Sequence, residues 1–178
     1  MVDLVFGLGA NLGDRAAALR SALHVLASLG RITAVSGLFE TAPVGGPSGQ
    51  GPHFNAAVRL STEAEPARWL LCIGVAEREA GRTRTVKNGP RTLDVDALWA
   101  RETRVVLPEL VVPHPRLAER PFAWIPLLEV APDAAPPGGA PPYRQALTGY
   151  DWSGVTPYAS AKQWCPEFPS EIELLRPI

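Results

Sequence analysis

Asp94 and Asp96 stand two residues apart in the run Asn88-Gly-Pro-Arg-Thr-Leu-Asp-Val-Asp96, directly after a segment that carries Arg82, Arg84, Lys87 and Arg91. Successive side chains of a strand point to opposite faces, so the two carboxylates share one face while Leu93, Val95 and Ala97 can enter a core. Such a pair repels itself in a partly dry cleft unless a divalent cation or several basic groups balance it. Magnesium suits the pair, because it takes oxygen ligands and is commonly held by one or two carboxylates together with the phosphates of a substrate. Two such ions about 3.5–4 Å apart stabilise both the attacking and the leaving oxygen of a displacement at phosphorus. The plainer reading of Asp-x-Asp is a solvated strand face whose acids pair with nearby arginines. The basic segment beside it weighs toward a metal and phosphate site.

The elements that must position these residues follow from periodicity and punctuation. Val2 to Leu8 reads as a buried first strand, and Gly9 to Gly13 as a turn into a helix from Asp14 to Leu29. Leu19, Leu23 and Leu26 form one apolar stripe on that helix, with Asp14 as its N-cap and Gly30 as its stop. Ile32 to Phe39 and His53 to Leu60 read as strands on either side of a Gly/Pro-rich loop from Thr41 to Pro52. Pro66 opens a second helix that Gly81 ends, and Thr92 to Trp99 is the next strand. The order is β-α-β-β-α-β. It predicts an α+β fold with a ferredoxin-like core, in which helices cover one face of an antiparallel sheet. Beyond it, Val105 to Val112 predicts an extra hairpin at the sheet edge, Phe122 to Val130 a short helix or turn, and Pro132 to Pro142 a loop. The tail from Trp152 shows no clear period, but Trp152, Trp164 and Phe168 predict that it docks on the body. The expected organisation is one domain over residues 1–150 and a C-terminal extension, 151–178, packed on it.

Composition narrows the function classes. At 178 residues the chain can bury a substantial core without disulfides or a structural metal. Its 17 basic residues nearly balance its 18 acidic ones, which argues against a nucleic-acid or membrane surface and leaves room for a local basic pocket. Cys72 and Cys165 are too few and too far apart for a zinc framework or a disulfide scaffold. The first residues lack the basic and apolar regions of a signal peptide, so a reduced, cytoplasmic setting is expected.

Seven segments carry a resemblance: Gly7-Leu-Gly-Ala-Asn-Leu-Gly13, Glu40-Thr-Ala-Pro43, Phe54-Asn55, Gly81-Arg-Thr-Arg84, Gly89-Pro-Arg-Thr-Leu-Asp-Val-Asp96, Val112-Pro-His-Pro115 and Arg120-Pro-Phe122. In order and spacing, from about residue 4 to 133, they closely resemble the 6-hydroxymethyl-7,8-dihydropterin pyrophosphokinases of folate biosynthesis. The resemblance implies transfer of the terminal pyrophosphate of ATP to the pterin's hydroxymethyl group, release of AMP, and two bound magnesium ions. It implies Asp94 and Asp96 as metal ligands, with Arg82 and Arg91 closing on the transferred phosphates. It further implies that His114 and Arg120 contact the ATP phosphates and that Arg84 and Lys87 lie on a loop covering the nucleotide. Glu77, on the same side, either orients an arginine or ties the helix edge by a salt bridge. For the pterin it implies Thr41, Pro43 and Val44 as a loop presenting backbone groups, Asn55 matching the amide-like edge of the ring, and Phe122 stacking opposite His53.

The chain departs from the family pattern at several positions. His53 replaces a Tyr or Phe, Asn88 a tryptophan that helps close the loop, and Ala10 a common serine. Glu109 and Val111 stand where some members have polar or basic ATP contacts. Expected partners are the two small-molecule substrates, with no nucleic acid and no membrane, and a monomer is expected with a homodimer as the alternative.

Rival readings have less support. Gly7-x-Gly9-x-x-x-Gly13 lacks the dinucleotide-binding spacing, and no phosphate loop of the Gly-x-x-x-x-Gly-Lys-Ser/Thr type occurs. Neither cysteine sits in a nucleophile motif, and His24, His53 and His114 form no recognisable ligand set. The alternative from another class is a non-catalytic ligand-binding or RNA-binding module on the same fold; the RNA-binding form would need exposed aromatics among basic residues, a signature the chain lacks.

Overall fold

Two long strands, β1 (Val2–Ala10) and β4 (His53–Thr62), lie antiparallel at the centre of a mixed α/β fold. The computed structural model describes residues 1–43, 45–83, 89–146 and 154–169. Helix α1 (Arg15–Leu26) begins as the sequence predicts, with the Asp14 side chain accepting from the Ala17 N–H at 3.0 Å. It ends in a 3-10 turn over Ala27–Leu29, and Gly30 becomes the first residue of β2 (Gly30–Val35).

The expected second strand is two strands. β2 stops at Val35 and β3 (Leu38–Thr41) restarts after Ser36 and Gly37, and both pair with β4. The break is chemical: the Ser36 hydroxyl accepts from the Ala57 N–H and donates to the Gly37 carbonyl, both at 2.8 Å, replacing ladder bonds with side-chain ones. Helix α2 (Pro66–Glu79) carries Pro at its first position, and β5 (Asp94–Ala100) follows. The main sheet runs β5-β1-β4-β3, with β2 also on β4, and every pairing is antiparallel.

Alternation sorts the side chains between two cores. Leu4, Phe6 and Leu8 of β1 and Phe54, Ala56, Val58 and Leu60 of β4 face α1 and α2, whose Leu19, Leu23, Leu26, Trp69 and Cys72 complete one apolar layer. The opposite face is also covered. Helix α3 (Pro121–Val130) packs Trp124, Leu127 and Leu128 against Val5, Ala57 and Leu98, so the expectation of helices on one face alone is corrected. The reason is in the segment itself: its apolar residues surround the helix axis, and such a helix must be buried.

The hairpin β6 (Val105–Leu107) and β7 (Leu110–Val112) forms a separate two-stranded sheet instead of extending the main one. Its last strand leads through the cis Val112–Pro113 bond toward the site. The Pro132–Pro142 stretch is a loop, as expected, followed by the short helix α4 (Tyr143–Ala146), whose Tyr143 ring sits edge-on to Trp124. Strand β8 (Val155–Ala159) pairs with β3, and α5 (Ala161–Trp164) buries Trp164 and Cys165. Trp152 lies outside the described residues.

Glu129 ties α3 to the β2–β3 break, its carboxylate accepting from the Gly37 N–H at 2.9 Å. Burial raises its pKa more than that hydrogen bond lowers it. A carboxyl whose folded pKa is raised contributes stability that is present below its unfolded pKa and lost as pH rises through the folded value. Glu129→Gln, which keeps an acceptor without the charge, is therefore expected to raise Tm at pH 8 and to lose that advantage near pH 4. Thermal melts across this range check it; a variant several degrees less stable at pH 8 would contradict the assignment.

Candidate active site

The end of α2 places the first cation. Gly81, at φ +69°, donates to the Arg78 carbonyl while the Arg82 N–H reaches back to the Glu77 carbonyl, each at 2.9 Å. This pair of bonds is a Schellman ending, which only a residue tolerant of the left-handed region makes without strain. It turns the Arg82 side chain toward β5. There the guanidinium binds the Glu77 carboxylate and, at 2.5 Å, Asp94 Oδ1. Glu77 is buried and also accepts from the Val95 N–H at 3.2 Å. The partner of Glu77 is thus Arg82, five residues on.

On β5, Asp94 and Asp96 share a face and pair with Gly9 and Gly7 of β1. The two glycines keep the floor beside the acids low. A Cβ on Gly7 would lie 2.8 Å from Leu98 Cδ1, so any larger residue there would displace the packed Leu98 side chain. Arg91 Nη1 donates to Asp94 Oδ2 at 2.5 Å, and Arg120 Nη1 donates to Asp96 Oδ2 at 2.7 Å. Three guanidiniums thus meet three carboxylates. His114 Nε2 lies 4.0 Å from Asp96 Oδ1, while its Nδ1 accepts from the Arg116 N–H at 3.1 Å. That bond assigns the ring proton to Nε2, and burial lowers the pKa of the ring, keeping it neutral near pH 7.

Arg91 is held by its backbone as well. Its N–H donates to the Asn11 side-chain oxygen at 2.8 Å and its carbonyl accepts from the Asn11 N–H at 3.0 Å. The Asn11 amide nitrogen reaches the loop after β3, donating to Gln50 Oε1 at 3.2 Å and to the Gly51 carbonyl at 3.4 Å.

The same cleft is lined by Thr41, His53, Asn55 and Phe122 together with Arg91, Asp94, Asp96 and Arg120. Strand alternation does what the sequence predicts: His53 and Asn55 face the cleft, and Phe54 turns to the opposite core. Asn55 Nδ2 donates to Thr41 Oγ1 at 2.9 Å, which leaves its second N–H and its carbonyl oxygen for another partner. Ala42 and Gly45 line the cleft rather than Pro43. Val44, Arg84, Lys87 and Asn88 lie outside the described residues. Burial, then the charge of Arg91, lowers the pKa of His53.

Sequence reasoning quoted Gly7 to Gly13 as a motif without giving Gly7, Gly9 or Asn11 a role in the site, and it did not single out Arg116 or Glu119. Gly7-x-Gly9 carried a usable signal, the same i, i+2 spacing as Asp94-x-Asp96 on a strand able to pair with it. Arg116 and Glu119, which line the cleft, carried none beyond their nearness to His114 and Arg120.

Comparison with known proteins identifies the family. The profile of the family described as 7,8-dihydro-6-hydroxymethylpterin-pyrophosphokinase (HPPK) matches residues 5–132. The chain is 42% identical over 126 residues to the 2-amino-4-hydroxy-6-hydroxymethyldihydropteridine pyrophosphokinase of Bacillus subtilis, covering 69% of this chain and 74% of that protein. It is 39% identical over 158 residues to the protein of the same name from Methylorubrum extorquens, covering 87% and 98%. A crystal structure of Plasmodium falciparum HPPK-DHPS superposes with a TM-score of 0.61 over 84% of this chain and 44% of that one; at 15% identity it shows the likeness of fold. The chain therefore belongs to the 7,8-dihydro-6-hydroxymethylpterin-pyrophosphokinase family, and with ATP as co-substrate it transfers pyrophosphate to hydroxymethyldihydropterin in folate biosynthesis.

Proposed function

We propose that the cleft binds ATP with two magnesium ions at Asp94 and Asp96 and holds the pterin between His53 and Phe122. The observation that carries this reading is the meeting of Arg82, Arg91 and Arg120 with Asp94 and Asp96 in a cleft also lined by Thr41, His53, Asn55 and Phe122. The donor set suits the metal. Both acids offer hard oxygen ligands, and no cluster of three or more acids, His or Cys among the described residues could hold a cation unaided. Substrate phosphates would complete the coordination, as is usual for magnesium. When bound, the ions would supply charge neutralisation on the phosphate oxygens.

The protein's own residues then do the positioning. Arg82 and Arg91 turn their planar donor forks from the acids to the transferred phosphates. Glu77 keeps Arg82 aimed, and His114 and Arg120 contact ATP phosphates, as do Arg84 and Lys87. Thr41, Pro43 and Val44 present the loop that borders the pterin, and Asn55 reads its amide-like edge. The hydroxymethyl oxygen bonds to the β-phosphorus as the bond from that phosphorus to the α-bridging oxygen breaks. AMP leaves with that oxygen, and the hydroxyl proton passes to solvent. Alignment and charge stabilisation supply the rate, with little covalent work by the protein.

The core β1-α1-β2/β3-β4-α2-β5 fits a ferredoxin-like arrangement once β2 and β3 count as one interrupted strand, since the fourth, first, third and second strands then lie side by side. Residues 1–150 make up the catalytic domain in this reading. The extension 151–178 is read as packed on it, supported within its described residues 154–169 by the β3–β8 pairing and the burial of Trp164. We infer a monomer, with a homodimer as the alternative, acting on small molecules in the cytoplasm without a nucleic-acid or membrane partner. The unpaired, buried Cys72 and Cys165 suit a reducing compartment.

AMP release from ATP should require both the hydroxymethyl pterin and magnesium. Asp94→Ala and Asp96→Ala are each expected to lower kcat by about a thousandfold, equivalent to roughly 4 kcal/mol of transition-state stabilisation. Either variant retaining turnover within tenfold, with its circular dichroism unchanged, would remove these acids from the mechanism.

His53 makes a separate prediction. Its lowered pKa keeps the ring neutral at pH 7, so protonation falls below the ordinary value of 6.5. Pterin affinity should be flat from about pH 7 to 8 and weaken only as pH falls below the ordinary imidazole value of 6.5, a dependence that His53→Phe abolishes. An equal decline in that variant would assign the dependence to another group.

A further inference from the structure

Arg116 is a third guanidinium lining the cleft, beside Arg91 and Arg120, and its carboxylate partner differs from those of Arg82, Arg91 and Arg120. Arg82, Arg91 and Arg120 each bind an acid of β5, whereas Arg116 Nε donates to Glu119 Oε2 at 3.2 Å, within its own turn. The pair is open to water, with side-chain exposures of 58% for Arg116 and 66% for Glu119. An exposed pair of this kind contributes about 0–1 kcal/mol, so little opposes its exchange for a better anion. Arg82, Arg91 and Arg120 are balanced by Glu77, Asp94 and Asp96. Arg116 is thus the cation among the described lining residues whose charge is not committed to the central cluster.

Its backbone is already fixed. The Arg116 N–H donates to His114 Nδ1 at 3.1 Å, and the next residues form the 3-10 turn Leu117–Glu119 that leads to Arg120. A short turn anchored on His114 therefore presents Arg116, Glu119 and Arg120 to the cleft.

We propose that Arg116 is a nucleotide-binding residue that exchanges Glu119 for a phosphate oxygen of ATP, with Glu119 acting as its latch in the free protein. The inference rests on the reading of this wall as the ATP side. A guanidinium is suited to the task, since its planar fork can meet two phosphate oxygens at once.

Calorimetric titration with α,β-methylene ATP and magnesium tests this in the intact protein. Arg116→Ala should weaken analogue binding about tenfold and Arg116→Lys by less, since a point charge replaces the fork. Glu119→Gln should tighten binding about two- to fivefold as the latch is lost. Pterin affinity, measured alone, should stay within twofold in all three. Analogue affinity within twofold of the unaltered protein in Arg116→Ala, or weaker binding in Glu119→Gln, overturns the proposal. Arg120→Ala separates the two layers: if it weakens analogue binding while Arg116→Ala does not, the inference fails alone, and if neither does, the assignment of this wall to ATP fails as well.

Discussion

The ion-pair cluster on β5 is the constraint around which the candidate active site is built. Two carboxylates on one strand face, two residues apart, are separated by about 7 Å and repel by roughly 2 kcal/mol at an effective dielectric near 20. Each guanidinium contact at 2.5–2.7 Å is closer and so outweighs that repulsion. The balance recruits three separate stretches of chain: the end of α2 through Arg82, the approach to β5 through Arg91, and the turn before α3 through Arg120. Losing one acid would leave guanidiniums facing one another, and losing one arginine would leave an acid poorly compensated. In our proposal the same balance prepares the reaction, because a phosphate chain with its cations is a matched replacement for both halves of the cluster.

The sheet supplies rigidity and the opening. One face is sealed by α1 and α2, while α3 covers the middle of the other with Trp124, Leu127 and Leu128. A second ion network lies on that face, where Arg59 and Arg101 bind Asp3 and Arg101 also binds Asp133. That network knits the start of β1 to β4, to the residue after β5 and to the loop after α3, and its residues do not line the cleft. The difference between the two clusters is the floor. Gly7 and Gly9 remove side chains beside Asp94 and Asp96 and leave room for a ligand, whereas the Asp3 network is spanned by arginine side chains.

Much of this was legible in the residues. The i, i+2 spacing of Asp94 and Asp96 places them on one face whatever the rest of the chain does, and Gly81 marks a helix end that aims Arg82. What escaped depends on tertiary context. Ser36 and Gly37 interrupt a strand because Ser36 meets Ala57 and Glu129 reaches Gly37, contacts between segments far apart in sequence. The apolar run of α3 has no polar face to reveal which side of the sheet it covers. β8 is short and carries Pro157, which a sheet edge tolerates but which masks the strand pattern. Arg116 and Glu119 look like ordinary surface charges until the turn brings them into the cleft wall.

The most direct test of the central claim is a crystal structure of the protein with magnesium, α,β-methylene ATP and the hydroxymethyl pterin bound. The account predicts that Arg82, Arg91 and Arg120 release the oxygens of Asp94 and Asp96 and donate to phosphate oxygens, while the two carboxylates turn to the metal. Guanidinium–carboxylate pairs left intact with both substrates in place would contradict it.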